Sequence, residues 1–269
     1  MLTDAIATEL LEALDHNRRM PTISSRDASF DAFAAYRVSA EIFSRRLARG
    51  ETPVGRKIGF TNRLIWDEYR VSGPMWGYVY DHTVTRLDEP IARLAIGHLS
   101  QPRIEPEVVF KLSAPVPETD DAVAILRCIE WMAPGFEIVQ SHFPDWKFTA
   151  ADCTAAFGLH GALVVGAPVA ITDENRAIIA GTLPTFALTL RRGDDVIEEG
   201  IGANVLGSPT LALAHLVQVL ASQPAAPPLA AGEIVTTGTL TDAWPVTPGE
   251  TWRSDYGALR MAGLTLALK

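Results

Sequence analysis

The chain reads as an α+β protein, with helices first and then mostly strands with a few helices among them. Three observations predict this class. Residues 1–50 carry apolar side chains at helical spacing, in "MLTDAIATELLEAL" and "SFDAFAAYRVSAEIFSRRLARG". From residue 51 the texture changes to short β-branched and aromatic runs punctuated by glycine. Strands and helices do not alternate regularly, which argues against a βαβ repeat. The 269 residues, 48% of them apolar, suffice for one sizeable core. A helical lead-in (1–50) and a strand-rich body (51–269) are expected to form one structural unit.

The elements follow in order. Ile6, Leu10 and Leu14 recur four apart after Thr3, a capping residue, and define a first amphipathic helix. In the second, Phe30, Phe33, Val38, Ile42 and Leu47 form one stripe, with Arg45, Arg46 and Arg49 late and Gly50 as the stop. "VGRKIGFTN" and "GPMWGYVYDHTV" read as strands and turns, and "EPEVVFKLS" as a strand. "TDDAVAILRCIEWMAPG" reads as a helix with acids in its first turn and Pro134-Gly135 at its end. "FEIVQSHF" and "GALVVGAPV" are strands, and "PTFALTLRRGDDVIEEG" is a hairpin turning at "RRGDD". Ser208 caps and Pro209 opens the helix in "GSPTLALAHLVQVLASQ". The Pro/Ala stretch "PAAPPLAAGE" is too short for a domain linker, and "EIVTTGTLTDAWPV" and "GALRMAGLTLALK" close the chain as strands.

A net charge of −9 disfavours nucleic acid and anionic membranes as partners, but not a small anionic substrate held by a metal. No window approaches 18 uninterrupted apolar residues, so no membrane span is expected. Cys128 and Cys153 lie far apart without a CxxC, which makes a reducing cytoplasm the default location. Asp4, Glu9 and Glu12 at the start argue against a targeting peptide. Walker, dinucleotide-binding and nucleophile-elbow motifs are lacking.

The unusual chemistry lies in "RIEPEVVF". A strand's period of two puts Glu105 and Glu107 on one face, and Pro106 between them points to a sheet edge or a strand's first residues. Glu137 begins another apolar strand in "APGFEIVQS". Three converging carboxylates would suit a hard divalent ion, Mg²⁺ or Mn²⁺; the alternative is a solvated acidic face. Lys57 in "GRKIGF" runs into the core or snorkels at a strand end. Asp81 ends "WGYVYD" as a turn residue, and His160 in "AAFGLHG" has the ordinary reading of a structural histidine.

These stretches, together with "FEIVQSHFPDWKFTAAD", "GANVLGSPTLALAHL" and "GTLTDAWPVTPGETWRSDYGALRMAGLTLAL", resemble the 2-keto-4-pentenoate hydratase and 4-oxalocrotonate decarboxylase branch of the fumarylacetoacetate hydrolase superfamily. The resemblance implies a mixed β-roll, a homo-oligomer, and one Mg²⁺ or Mn²⁺ held by Glu105, Glu107 and Glu137. It further implies a hydro-lyase acting on a 2-oxo or 2-hydroxydienoic acid from aromatic meta-cleavage, or a decarboxylase or C–C hydrolase on a similar chelating substrate. It maps the family's lysine to Lys57, expected to have a lowered pKa when beside the cation and partly desolvated, and its strand-ending acid to Asp81. The chain departs from the family's Asp-Asn-Ala-Ser-like segment at "CTAAFGLHG". Phe157 and Asn62 are therefore expected to shape the substrate's far end. His160 either replaces a lost acid/base group or fills space. The changed segment also leaves open a non-catalytic member that keeps the fold.

Overall fold

The computed structural model describes residues 2–63, 66–69, 71, 73–87, 91–223 and 226–269. Residues 224 and 225 of the Pro/Ala stretch lie outside them. The chain begins with helices α1 (Leu2–Asp15) and α2 (Ala32–Ala48), strand β1 (Pro53–Gly59) and helix α3 (Trp66–Tyr69). Strands β2 (Met75–Tyr80), β3 (Val84–Arg86), β4 (Ala92–Leu94) and β5 (Arg103–Leu112) follow. Next come helix α4 (Ala122–Leu126), β6 (Ile129–Val139), helix α5 (Ala150–Ala155), β7 (His160–Val165) and β8 (Val169–Ala170). Helix α6 (Arg176–Thr182), β9 (Ala187–Arg192), β10 (Asp195–Ile201) and helix α7 (Pro209–Ala221) precede β11 (Ile234–Thr236), β12 (Trp244–Pro245), β13 (Thr251–Asp255) and β14 (Thr265–Leu268).

Among the described residues the strands form two mixed sheets. The larger runs β2–β1–β11–β5–β6–β7–β3, with β12 also on β5 and β8 on β6; the smaller runs β10–β9–β13–β14–β4. The hairpin β9–β10 turns at Gly193, whose φ of +58° suits glycine. The stretch Gly202–Ala221 has the length and hydropathy of a membrane-crossing helix, yet 56% of it is buried in the protein. Leu213, Leu216 and Leu220 of α7 belong to the main core.

Strand β5 separates two environments. Its even-numbered residues Ile104, Val108, Phe110 and Leu112 enter the main core with α4, α7 and the smaller sheet. Its odd-numbered residues face the inside of the roll, where Val109 joins Val79, Ala133, Leu163 and Ile234 in a small apolar plug.

Two expectations change here. Pro106 is not at a sheet edge: β5 is central, between β6 and β11–β12. A central proline is tolerated because the β11 ladder stops at Val109 and the β12 ladder at Ile104, so no ladder on that side calls for a donor at Pro106, whose carbonyl accepts from the Leu240 N–H. The helix expected over 119–135 ends at Leu126, and Ile129–Val139 is one long strand. Helical propensity yields because this segment pairs with β5 along almost its whole length.

In α2, Asp31 caps the helix through the Ala34 N–H. Val38 and Ile42 are buried, whereas Phe33 is exposed and Phe30 precedes the helix. The lead-in is fastened to the body by polar anchors. The Arg46 guanidinium lies 3.7 Å over the Tyr80 ring and donates to Glu51 at 2.6 Å. The buried Asp152 carboxylate accepts from the Ser24 N–H and hydroxyl and from the Thr149 N–H and hydroxyl.

Candidate active site

Antiparallel pairing of β5 with β6 sets Glu105 directly opposite Glu137, and Glu107 opposite Gly135. Glu107 is thus the diagonal neighbour of Glu137. Like charges directly across a ladder repel, and here one carboxylate oxygen from each of the three glutamates lies within 4.8 Å of the other two. Glu107 and Glu137 are fully buried, and Glu105 is half-buried at the wall of a cavity of about 360 Å³. Lys57, on β1, reaches the cluster from the side, its Nζ 3.3 Å from Glu137 Oε2.

The electrostatics are those of a site short of positive charge. Burial, foremost, and then Glu137 push Glu105 up to about 7 against the pull of Lys57 and Arg103. Burial and both neighbouring glutamates push Glu107 well up. Burial would raise Glu137 too, but Lys57 and His160 outweigh it and hold this carboxyl at about 2. Glu107 Oε1 is buried without a hydrogen-bond partner, and Glu137 Oε2 has only the Lys57 ammonium beside it. Three carboxylates and one ammonium leave two negative charges, so a divalent cation would balance them. An all-oxygen donor set in which Glu107 Oε1 is buried and unpartnered fits a hard ion.

The cation-free cluster moves Lys57 away from the ordinary lysine value. Burial works to lower its pKa, but the three glutamates outweigh this and raise it above the ordinary lysine value. With no cation in the cluster Lys57 is a buried ammonium; the lowering expected of it belongs to a lysine beside a bound cation.

His160 is beside the cluster but does not open on the cavity. Its Nδ1 lies 2.9 Å from Glu137 Oε1 and its Nε2 2.8 Å from Thr83 Oγ1. Both ring nitrogens are thus engaged, one by Glu137 and one by Thr83, and the ring is not part of the cavity lining.

Asp81 is not brought to the site. Lys57 pairs with Gly77 of β2, and Asp81 lies four residues beyond it, roughly 13 Å along the strand direction at about 3.3 Å per residue. Its side chain is 53% exposed and lines a different depression with Lys111 and Glu233. Asn62 does line the cavity. Phe157 does not: its ring packs with Ala35, Val38 and Phe143 of the lead-in cluster. The reason is local, because Phe157, Gly158 and Leu159 take φ of 62°, 60° and 62° in succession. This left-handed turn leaves Gly158 and Leu159 facing the cavity in place of Phe157.

Several site groups were not singled out from sequence. Gly238 N–H donates to Glu107 Oε2 at 2.6 Å, and the buried Tyr256 hydroxyl donates to the Glu107 carbonyl at 2.7 Å. A Cβ on Gly238, at φ +95°, would fall 2.0 Å from Thr61 Oγ1. Gly238→Ala is therefore expected to cost at least about 1–3 kcal/mol, read as a fall in melting temperature, and to weaken cation binding measured calorimetrically. Trp146, stacked 4.1 Å from the Arg103 guanidinium, and Thr239, Asp242 and Trp244 complete the wall.

The fumarylacetoacetate (FAA) hydrolase C-terminal family matches residues 68–261, most of the chain. The chain belongs to that family. Among its relatives, "2-keto-4-pentenoate hydratase 1" of Dechloromonas aromatica (strain RCB) is 32% identical over 241 residues, covering 88% of this chain and 87% of the relative. A 4-oxalocrotonate decarboxylase of Pseudomonas sp is 29% identical over 249 residues, 93% of this chain and 92% of the relative. Among solved structures of the FAA hydrolase fold, 4-oxalocrotonate decarboxylase from Pseudomonas putida G7, complexed with magnesium and adipate, superimposes with a TM-score of 0.89. It shares 24% identity, over 100% of this chain and 97% of that one. The β-roll is thereby established, and the acidic cluster sits on two of its central strands.

Proposed function

We propose that this protein is a metal-dependent hydro-lyase that adds water to a 2-hydroxy-2,4-dienoate through its 2-oxo tautomer, in the breakdown of aromatic meta-cleavage products. The observation that carries this reading is the cluster of Glu105, Glu107 and Glu137, with oxygens within 4.8 Å of one another and Lys57 alongside, at a cavity wall. Hydratases are prominent among the relatives. Mg²⁺ or Mn²⁺ is the ion we assign to the cluster. When bound there, it would supply Lewis-acid polarisation to the carboxylate and 2-oxo oxygens of the substrate's head.

The chain's own residues do the rest. Lys57 and Arg103 present positive charge to the anionic head and to negative charge that develops on it. His160 and Gly238 hold Glu137 and Glu107 at fixed oxygens. Trp146, Leu159 and Trp244 exclude bulk water from the head. We assign Asp242, the carboxylate in the cavity lining outside the cluster, as the base that takes a proton from the attacking water. Asp242→Asn is expected to lower kcat about 10²–10⁴-fold with cation affinity unchanged by calorimetry.

The deciding assay follows dienol absorbance with Mg²⁺ or Mn²⁺. Hydration predicts loss of absorbance without carbon dioxide release. Carbon dioxide release would assign the chain to decarboxylation, and inertness towards every dienoate would remove both readings.

The cluster also gives a pH dependence with a definite sign. Glu105, ordinarily near 4.5, titrates near 7 in the fold, and Glu107 shifts the same way. Their contribution to the stability of the metal-free protein is complete below about 4.5 and is lost as pH rises through 7. Glu137, shifted down, contributes above 4.5 and does not change in this window. Cation binding needs the ionised forms. Mn²⁺ at about 100 times its Kd should raise the melting temperature by roughly 5–10 °C at pH 8 and by much less at pH 5.5. An equal rise at both pH values would contradict the assignment.

A further inference from the structure

A second cavity, of about 730 Å³, lies against the first. The two share Phe60 and Met75 as a common wall. Met75 is seated in a slot left by two glycines. Its Cε is 2.7 Å from where a Cβ on Gly59 would be, and its Sδ 3.4 Å from where one on Gly158 would be. A Cβ on Gly158 would also lie 3.1 Å from Lys57 Cδ, so this thioether adjoins the lysine of the cluster. Methionine is unbranched and adaptable, and a wall made of it can yield to a ligand. The outer walls come from the lead-in (residues 22–36), from α5 and from α7.

The chemistry of this chamber differs from that of the first. Among the described residues lining it none carries a charge. Most of its polar side chains are already engaged within the protein. The Ser24 and Thr149 hydroxyls donate to Asp152, and those of Ser25 and Thr154 to the carbonyls of Thr22 and Ala150. Gln223 Oε1 accepts from Trp76 Nε1. What these residues offer inward is mainly carbon. A carboxylate buried there would find no cation among the described lining residues to offset its loss of water. An alkyl or aryl group would gain burial. The first cavity has the opposite character, with Lys57, Arg103 and Glu105 in its wall.

We infer that the second chamber receives the tail of the substrate, and that this tail is a bulky neutral alkyl or aryl group rather than a second carboxylate. This rests on reading the first cavity as the hydratase site. The head is held at the glutamate cluster, and the chain beyond the diene passes between Phe60 and Met75. The substrate class is therefore a 2-hydroxy-2,4-dienoate with an extended apolar substituent at its far end.

The test is a substrate series on the wild-type enzyme with Mn²⁺. It compares the unsubstituted dienoate, linear alkyl homologues, a phenyl-bearing analogue and an analogue ending in carboxylate. We expect kcat/KM to rise about fourfold per added methylene over the first few carbons. The carboxylate-ended analogue should be at least tenfold poorer than the alkyl one of equal length. Ala32→Trp, at the exposed start of α2 and on the chamber wall, should then reduce the ratio of long-tail to unsubstituted kcat/KM about tenfold. Preference for the carboxylate-ended or the unsubstituted substrate would overturn the inference and leave the hydratase reading standing, and so would an unchanged ratio in Ala32→Trp. Inertness towards every member of the series would overturn both.

Discussion

Glu107→Gln is expected to abolish turnover while making the cation-free protein more stable. The two signs are opposite because Glu107 carries two burdens. It is fully buried, one of its oxygens has no hydrogen-bond partner, and burial and two flanking carboxylates push its pKa well up. The amide of glutamine keeps an acceptor for the Gly238 N–H and removes the charge. Loss of that charge should weaken Mn²⁺ binding, read by calorimetry, and lower dienoate turnover by about 10³-fold, the scale of several kcal/mol of charge stabilisation. In EDTA at pH 8 the same variant should melt higher, by about 2–4 °C for each kcal/mol of repulsion relieved. Wild-type Mn²⁺ affinity in the variant, or a lower melting temperature in EDTA, would show that these carboxylates do not form a cation site.

Lys57→Met is expected to move the same two readouts differently. The ammonium is 3% exposed and ion-paired with Glu137, and methionine approximates the length of its stem. Removing one partner of a buried pair costs about 3–5 kcal/mol, because the other charge is left uncompensated. The melting temperature in EDTA should fall by roughly 6–20 °C. Mn²⁺ should restore most of it, since the remaining carboxylates bind a cation more tightly without a competing ammonium. Turnover should stay at least about 10²-fold down even when Mn²⁺ saturates, because charge on the substrate loses its partner. Full activity at saturating Mn²⁺ would reduce Lys57 to a structural counter-ion. Combining Lys57→Met with Glu107→Gln should cost less stability than the sum of the single changes, since one removes repulsion that the other exposes.

The local part of this architecture was legible in the sequence. Period two placed Glu105 and Glu107 together, Ser208 and Pro209 opened α7, and "RRGDD" turned the hairpin, because each depends on neighbours in the chain. Contacts between distant segments were less so. That Glu137 faces Glu105 is a matter of register between β5 and β6, and half of β6 had read as helix. The start of an apolar strand had marked Glu137 as a candidate third carboxylate, and the motif resemblance joined it to the other two as one cation site. Asp81 looked equivalent to other strand-end acids, and only the β1–β2 register shows it far along from Lys57. Phe157 was misplaced because left-handed backbone at three consecutive residues reverses which side chain meets the cavity. The rise in the Lys57 pKa needed all three glutamates in place. The second chamber has no motif at all: its walls come from segments that meet only in the folded chain.

The alternation along β5 has a consequence for how this gene can vary. Ile104, Val108 and Phe110 point one way and Glu105 and Glu107 the other. Deleting a single codon between Arg103 and Val109 would shift part of the strand by one residue and exchange the two faces. At least one carboxylate would enter the apolar core, and an aliphatic side chain would take its place in the cavity. Insertions and deletions should therefore be purged from this strand even where substitutions survive. Length variation should accumulate instead in exposed connections away from the cavity, such as the stretch between β5 and α4.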